Sequence, residues 1–124
     1  MEVVTMAHET ELLQQMIDNT DAAVYIKDEE GRFLLVNRRV TEMLKKSKEE
    51  LLGRTDYDFV PKELADRLRE YDRKVADTGI PSNYRDTVTM PGGRFTIVDH
   101  KFPVKLEGHQ HAVGGIVIEV KEAP

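Results

Sequence analysis

Pro81 divides this chain by chemistry. The strong helix signals of residues 37–79 lie before it, and everything after it is patterned for strands. Three runs rich in β-branched and aromatic residues follow: Asn83–Met90, Arg94–Val104 and His111–Val120. Only Pro91-Gly92-Gly93 and Glu107-Gly108-His109 separate them, and connections that short join antiparallel neighbours, since parallel ones need a crossover. Upstream, Ala22–Ile26 and Phe33–Val36 flank the turn-forming stretch Lys27-Asp28-Glu29-Glu30-Gly31-Arg32, which predicts an early hairpin. Helices gathered apart from strands in this way predict an α+β domain, with helices on one face of an antiparallel sheet.

The helices carry their own start and stop signals. Asn37 suits the cap of a helix with Val40, Met43 and Leu44 inside, and Ser47 with Glu50 forms a capping box ahead of Leu51, Leu52 and Gly53. Pro61 opens a longer helix, Leu64, Leu68, Tyr71 and Val75 form its buried stripe, and Gly79 ends it. Before all of these, Met1–Thr5 is patternless, while Leu12, Leu13, Met16 and Ile17 repeat at helical spacing. A helix of about three turns does not persist alone, so this one needs a surface to lie on.

Composition narrows the function. The 124 residues suit one domain, 40% of them hydrophobic and 33% charged. A net charge of −5 argues against general binding to nucleic acid or anionic membranes. The absence of Cys removes thiolate nucleophiles, disulfides and cysteinyl photochemistry, and no apolar run approaches the length of a membrane span. A soluble, cytoplasmic domain is the expectation.

Candidate chemistry is sparse. His8-Glu9 lacks the Arg-Thr-Pro that would make it a kinase phospho-acceptor, so it reads as a solvated helix position. His109 and His111 beside Glu107 offer two metal ligands on one side and no third, and His100, between Val98 and Phe102, reads as a partly buried structural histidine. No catalytic or metal-binding residue is assigned. Ser47 is used in capping, Ser82 lies outside any nucleophile elbow, and no glycine-rich phosphate loop exists. Gly114-Gly115 points to close strand packing.

For the Pro91-Gly92-Gly93 turn, a three-residue loop sets Thr87 opposite Ile97 and Arg85 opposite Asp99. The shorter loop, taken to face Asp86 with Asp99, is disfavoured by like charge. In the preferred register Arg85, Thr87, Asp99 and Lys101 share one face, and Tyr84, Val88, Val98, His100 and Phe102 share the other. Alternation alone makes the polar face the wet one.

In order along the chain, several stretches resemble the PAS (Per-Arnt-Sim) sensor family. They are Met16–Thr20, Val24-Tyr25-Ile26-Lys27-Asp28, Gly31-Arg32-Phe33, Val36-Asn37-Arg38, Ser47–Asp58, Asp72–Pro81, Lys101-Phe102-Pro103 and Val113–Ile116. The resemblance implies a five-stranded antiparallel sheet of order 2-1-5-4-3 cupped around helices. It places an N-terminal flanking helix in residues 1–20 and the PAS domain in residues 21–121.

By the same resemblance the polar face turns inward. It lines a ligand cavity with Leu68, Tyr71, Arg85, Thr87, Ile97, Asp99, Lys101 and Val117, in which Arg85 and Lys101 donate to a small anionic metabolite. The alternative is an Arg85–Asp99 structural pair without a ligand. Leu12, Leu13 and Met16 of the flanking helix, with Val98 and Phe102 of the outer face, become a homodimer interface. The family's usual exit motif, Asp-Ile-Thr, here reads Glu119-Val120-Lys121. No His lies in Pro61–Thr78, where haem-binding members place one, and no cofactor is expected. A non-enzymatic sensory module that dimerises and regulates an effector such as a histidine kinase or diguanylate cyclase is the leading expectation. A ligand-free interaction module and a small hydrolase are the alternatives.

Overall fold

The computed structural model describes residues 5–120. Helix α1 (Met6–Asp18) precedes a hairpin of β1 (Ala23–Lys27) and β2 (Phe33–Val36). Then come α2 (Arg38–Leu44), α3 (Lys48–Leu51), a 3-10 turn at Asp56–Asp58 and the long α4 (Lys62–Thr78). The meander β3 (Ser82–Met90), β4 (Gly93–Leu106) and β5 (His109–Glu119) completes the fold. All pairings are antiparallel and the sheet order is β2-β1-β5-β4-β3, as the resemblance implied. Among the described residues no helix is long and apolar enough to cross a membrane.

Local chemistry accounts for the helix ends. Ser47 and Glu50 exchange the two bonds of a capping box, and α4 stops where Gly79 takes the left-handed conformation at φ 69°. Thr5, read as part of a loose start, caps α1 instead by accepting the His8 N–H at 3.2 Å, while Met1–Val4 lie outside the described residues. Leu64, Leu68 and Val75 of α4 are buried, and Leu64 and Leu68, with Tyr71 packed alongside, share one core cluster with residues of the sheet's inner face such as Tyr25, Val88, Ile97 and Val117. Lys27, expected in the early turn, is the last residue of β1 and is buried.

The β3–β4 turn departs from the expected register. Met90 pairs with Gly93 across the two-residue turn Pro91-Gly92, so Tyr84 faces Asp99, Arg85 faces Val98 and Thr87 faces Thr96. A loop of this length therefore brings no Asp86–Asp99 clash; Asp86 faces Ile97 and is held by Arg67, Nε to Oδ2 at 2.7 Å. The turn is set by its docking on α2. Gly92 N–H donates to Met43 O at 2.8 Å, and a Cβ on Gly92 would fall 2.5 Å from Glu42 O, so only glycine fits there. A slip of one residue exchanges the two faces of a strand. Tyr84, Asp86 and Val88 consequently share the inner side with Ile97, Asp99 and Lys101, whereas Arg85 and Thr87 stand exposed on the outer one.

Asn37 ties the first half together. Its Oδ1 accepts from Val24 N at 3.0 Å and Val40 N at 3.3 Å, while Nδ2 donates to Ile17 O at 2.5 Å and Ala22 O at 2.9 Å. The end of α1, the start of β1 and the first turn of α2 thus hang on one buried amide. Asn37→Ala is expected to cost about 2–3 kcal/mol in urea unfolding, as a lost cap plus stranded backbone groups. A loss under about 0.5 kcal/mol would show that water replaces the amide.

Candidate functional site

Between α4, α2 and the inner face of the sheet lies a cavity of about 60 Å³. Its wall is mostly apolar, with Ala23, Phe33, Val40, Met43, Leu68 and Val117 among the contributors, and it also includes Tyr25, Lys27, Asp56, Asp99 and Lys101. Those polar residues belong to a buried network. Lys27 Nζ contacts Asp56 Oδ2 at 2.6 Å and Asp72 Oδ2 at 3.0 Å. Lys101 Nζ contacts Tyr25 Oη at 2.6 Å, Asp72 Oδ1 at 2.7 Å and Asp99 Oδ2 at 3.1 Å. Tyr25 Oη in turn donates to Asp99 Oδ2 at 2.8 Å.

Period and handedness bring these groups together. Ala23, Tyr25 and Lys27 alternate onto the buried side of β1, and Asp99 and Lys101 do the same on β4. Asp72 stands four residues beyond Leu68 on the buried stripe of α4. Burial by itself pulls both ammoniums down, but the carboxylates beside them (Asp56 and Asp72 for Lys27, Asp72 and Asp99 for Lys101) leave both raised above the ordinary lysine value. Burial likewise pushes the Asp72 carboxyl up, and the two lysines outweigh it, holding Asp72 below the usual aspartate range. Tyr25 is raised well above the ordinary phenol value, first by burial and then by the Asp99 and Asp72 charges, so it stays protonated and can donate.

Of the eight residues assigned to a ligand cavity, the structure brings Leu68, Ile97, Asp99, Lys101 and Val117 to its wall. Tyr71 instead stacks on Tyr84, ring centroids 4.2 Å apart. Arg85 and Thr87 are placed wrongly by the expected register: both are exposed on the far side of the sheet, where Thr87 meets Thr96 across 3.1 Å. No Arg85–Asp99 pair forms, and Arg85 cannot donate to anything inside. Sequence reasoning missed Tyr25, Lys27, Asp56 and Asp72 as wall or network residues. The signal for Lys27 is its phase with Ala23 and Tyr25, and that for Asp72 is its phase with Leu64 and Leu68.

The outer face shows a different chemistry. Val98 faces Ile118, His100 faces Ile116 and Phe102 faces Gly114 across β4 and β5, with Ile116 and Ile118 exposed. His100, expected to be partly buried, is exposed and shares a 2.7 Å hydrogen bond with Asn83 Oδ1. Helix α1 buries none of its residues in the domain, and Leu12, Leu13 and Met16 are all exposed. His109 contacts Glu29 and His111 contacts the Ala76 carbonyl, so the two turn histidines are committed to different elements. At the exit of β5, Glu119 pairs with Arg39 at 3.1 Å and Val120 N–H donates to Thr96 O at 2.8 Å, while Lys121 lies outside the described residues.

Known proteins share this arrangement. The uncharacterized protein y4lL of Sinorhizobium fredii is 36% identical over 70 residues, which are 56% of this chain and 8% of that protein. The chain thus spans only a small part of the length of the curated relative it matches. The PAS domain of Bordetella pertussis BvgS is 25% identical and superposes with a TM-score of 0.73 over 92% of this chain and 88% of that one. A structure of the Vibrio cholerae VqmA dimer, determined in the absence of its target DNA, is 19% identical with a TM-score of 0.78 over 94% of this chain and 52% of that one. The family profile described as the PAS fold matches residues 17–123. Because that match runs from the end of α1 through every strand of the sheet, the chain belongs to the PAS family.

Proposed function

We propose that this domain is a non-enzymatic sensory module that pairs with a second copy through α1 and the outer sheet face and relays the state of its inner cavity to an effector. The observation that carries the reading is the apolar surface left without a partner. Met6, Leu12, Leu13 and Met16 on α1, and Ile116 and Ile118 on the sheet, remain exposed in a single chain. A second copy covers both at once with a two-fold arrangement, the commonest symmetry for a soluble assembly. VqmA, which shares the fold, is described as a dimer, and the matched stretch of y4lL is a small part of a longer chain, as expected of a module that regulates an attached or partner effector such as a histidine kinase or diguanylate cyclase.

The exit supports the same reading. Arg39 holds Glu119 and also lies 5.5 Å over the Phe95 ring, so the last strand is fastened to α2 and β4. A change in the packing of α2 against the cavity therefore reaches the point where the chain leaves the domain.

A native mass spectrum of the freshly purified protein is expected to show twice the monomer mass. Leu13→Glu and Phe102→Glu are each expected to give monomers with an unchanged circular dichroism spectrum. A wild-type monomer at tens of micromolar, or a dimer indifferent to both changes, rejects this assembly.

A further inference from the structure

The ligand chemistry of the cavity can be read from what its wall lacks. Two ammoniums, Lys27 and Lys101, face three carboxylates, Asp56, Asp72 and Asp99. The Lys101 ammonium has three protons and three oxygen neighbours within 3.1 Å. Lys27 has two carboxylate partners and otherwise lies over the Tyr25 and Phe33 rings, 5.0 and 5.4 Å from their centroids. Each ammonium in the wall therefore already has at least two oxygen partners, and the network, with Asp72 behind the wall counted in, sums to the negative side.

One acceptor is left over. Among the described residues, the buried side-chain atoms without a hydrogen-bond partner are Asp99 Oδ1 and Tyr84 Oη. They belong to residues directly opposite each other on the inner face, and Asp99, 5% exposed, lines the cavity. A buried carboxylate oxygen without a donor is costly, and a group that brings an N–H recovers that cost. A carboxylate or phosphate ligand would do the reverse, adding negative charge beside an unpaired acceptor.

We propose that the cavity takes a compact apolar molecule bearing an N–H donor, neutral or singly positive, which seats that donor on Asp99 Oδ1. This rests on the reading of the cavity as a ligand site and reverses the anionic ligand expected from sequence. At about 60 Å³ the space is well below the roughly 150 Å³ of a cavity that takes benzene, so a five-membered ring enters only as the wall gives way. Met43 and Met90, both in the wall, are the side chains whose thioethers most readily swing to admit more.

Four probes of similar or smaller size separate the possibilities: pyrazole, isoxazole (the same ring with oxygen in place of N–H), propionate and xenon. Each is titrated into the wild-type protein while the methyl resonances of Ile97 and Val117 are followed by NMR. Pyrazole is expected to bind at least tenfold tighter than isoxazole, and propionate not to perturb these methyls. In Asp99→Asn the pyrazole preference is expected to fall below threefold. If that variant does not fold, the wild-type ratio of pyrazole to isoxazole decides alone. Isoxazole or propionate binding as well as pyrazole overturns the donor assignment while leaving a ligand-holding cavity in place. No response to any probe, xenon included, overturns both.

Discussion

Lys101→Met is expected to lower the unfolding free energy by about 3–5 kcal/mol, because it strands buried carboxylates that the ammonium compensates. The side chain is 1% exposed and sits between Asp72, Asp99 and the Tyr25 hydroxyl. Methionine fills a similar volume, so the loss is electrostatic rather than a cavity. Removing a second member tests this. Lys101→Met combined with Asp99→Leu is expected to be more stable than Lys101→Met alone, since one unpaired charge leaves with its partner. Urea denaturation of the four proteins in this cycle gives the coupling. A loss below about 1 kcal/mol in the single variant would show that the network is effectively hydrated.

The same network fixes a pH response. Asp72 is depressed in the folded protein, burial being outweighed by Lys27 and Lys101. Its contribution is complete above the unfolded aspartate value of about 4 and is lost as pH falls through the lower folded value. The two lysines are raised, so theirs is complete below an unfolded value of about 10.4 and is lost as pH climbs through the folded one. The network's contribution to Tm is thus level between about pH 5 and 9 and falls on both sides. In Lys101→Met the acid limb is expected to be shallower, because Asp72 loses one of the two cations that depress it. An unchanged acid slope in that variant would remove Asp72 as its source.

Gly115→Ala is expected to be nearly as damaging, at about 3–4 kcal/mol. Gly115 lies directly opposite Tyr25, and an added Cβ would fall 2.1 Å from Tyr25 Cζ and 2.2 Å from its hydroxyl. The ring cannot swing freely, because Phe33 meets it edge-on at 6.4 Å and its hydroxyl bridges Lys101 and Asp99. Displacing it breaks those bonds and deforms the cavity wall together. Its neighbour supplies the contrast. A Cβ on Gly114 would meet Phe102 Cε2 at 2.6 Å, but that ring is only half-buried on the outer face and can turn aside, so Gly114→Ala is expected to cost under about 1 kcal/mol. Thermal melts of the two alanine variants check the difference. In a Tyr25→Ala background the Gly115→Ala penalty is expected to shrink by more than half, and equal penalties in both backgrounds would locate the strain elsewhere.

How far residues alone could lead is visible element by element. The cap that Asn37 gives Val40, the Ser47–Glu50 box, Pro61 and Gly79 were legible because each acts on backbone groups within four residues of itself, whereas the bonds from Asn37 to Ile17, Ala22 and Val24 were not. The stripe of α4 and the two sets of hairpin-linked strands followed from periodicity and from short turns, whereas the order of the sheet came from the family resemblance, since β1 pairs with β5 across some ninety residues. The cavity was only partly legible. Leu68, Ile97, Asp99, Lys101 and Val117 reach it, but Arg85 and Thr87 do not, because the β3–β4 register depends on Gly92 meeting the carbonyl of Met43. That contact joins residues some fifty positions apart, and no turn preference contains it.

The amino-acid order thus determined which segments are helix and strand, how the main helices are capped and stopped, and that neighbouring strands pair antiparallel with helices to one side, since these are short-range consequences of capping, periodicity and turn chemistry. Tertiary structure alone decided which β3 side chains face inward and that two lysines and three aspartates are buried as a single network. It also decided that one acceptor of that network is left without a donor. Those outcomes depend on distances between residues far apart in the chain, and a charged side chain is admitted to a core only when the opposite charges that compensate it arrive from other elements.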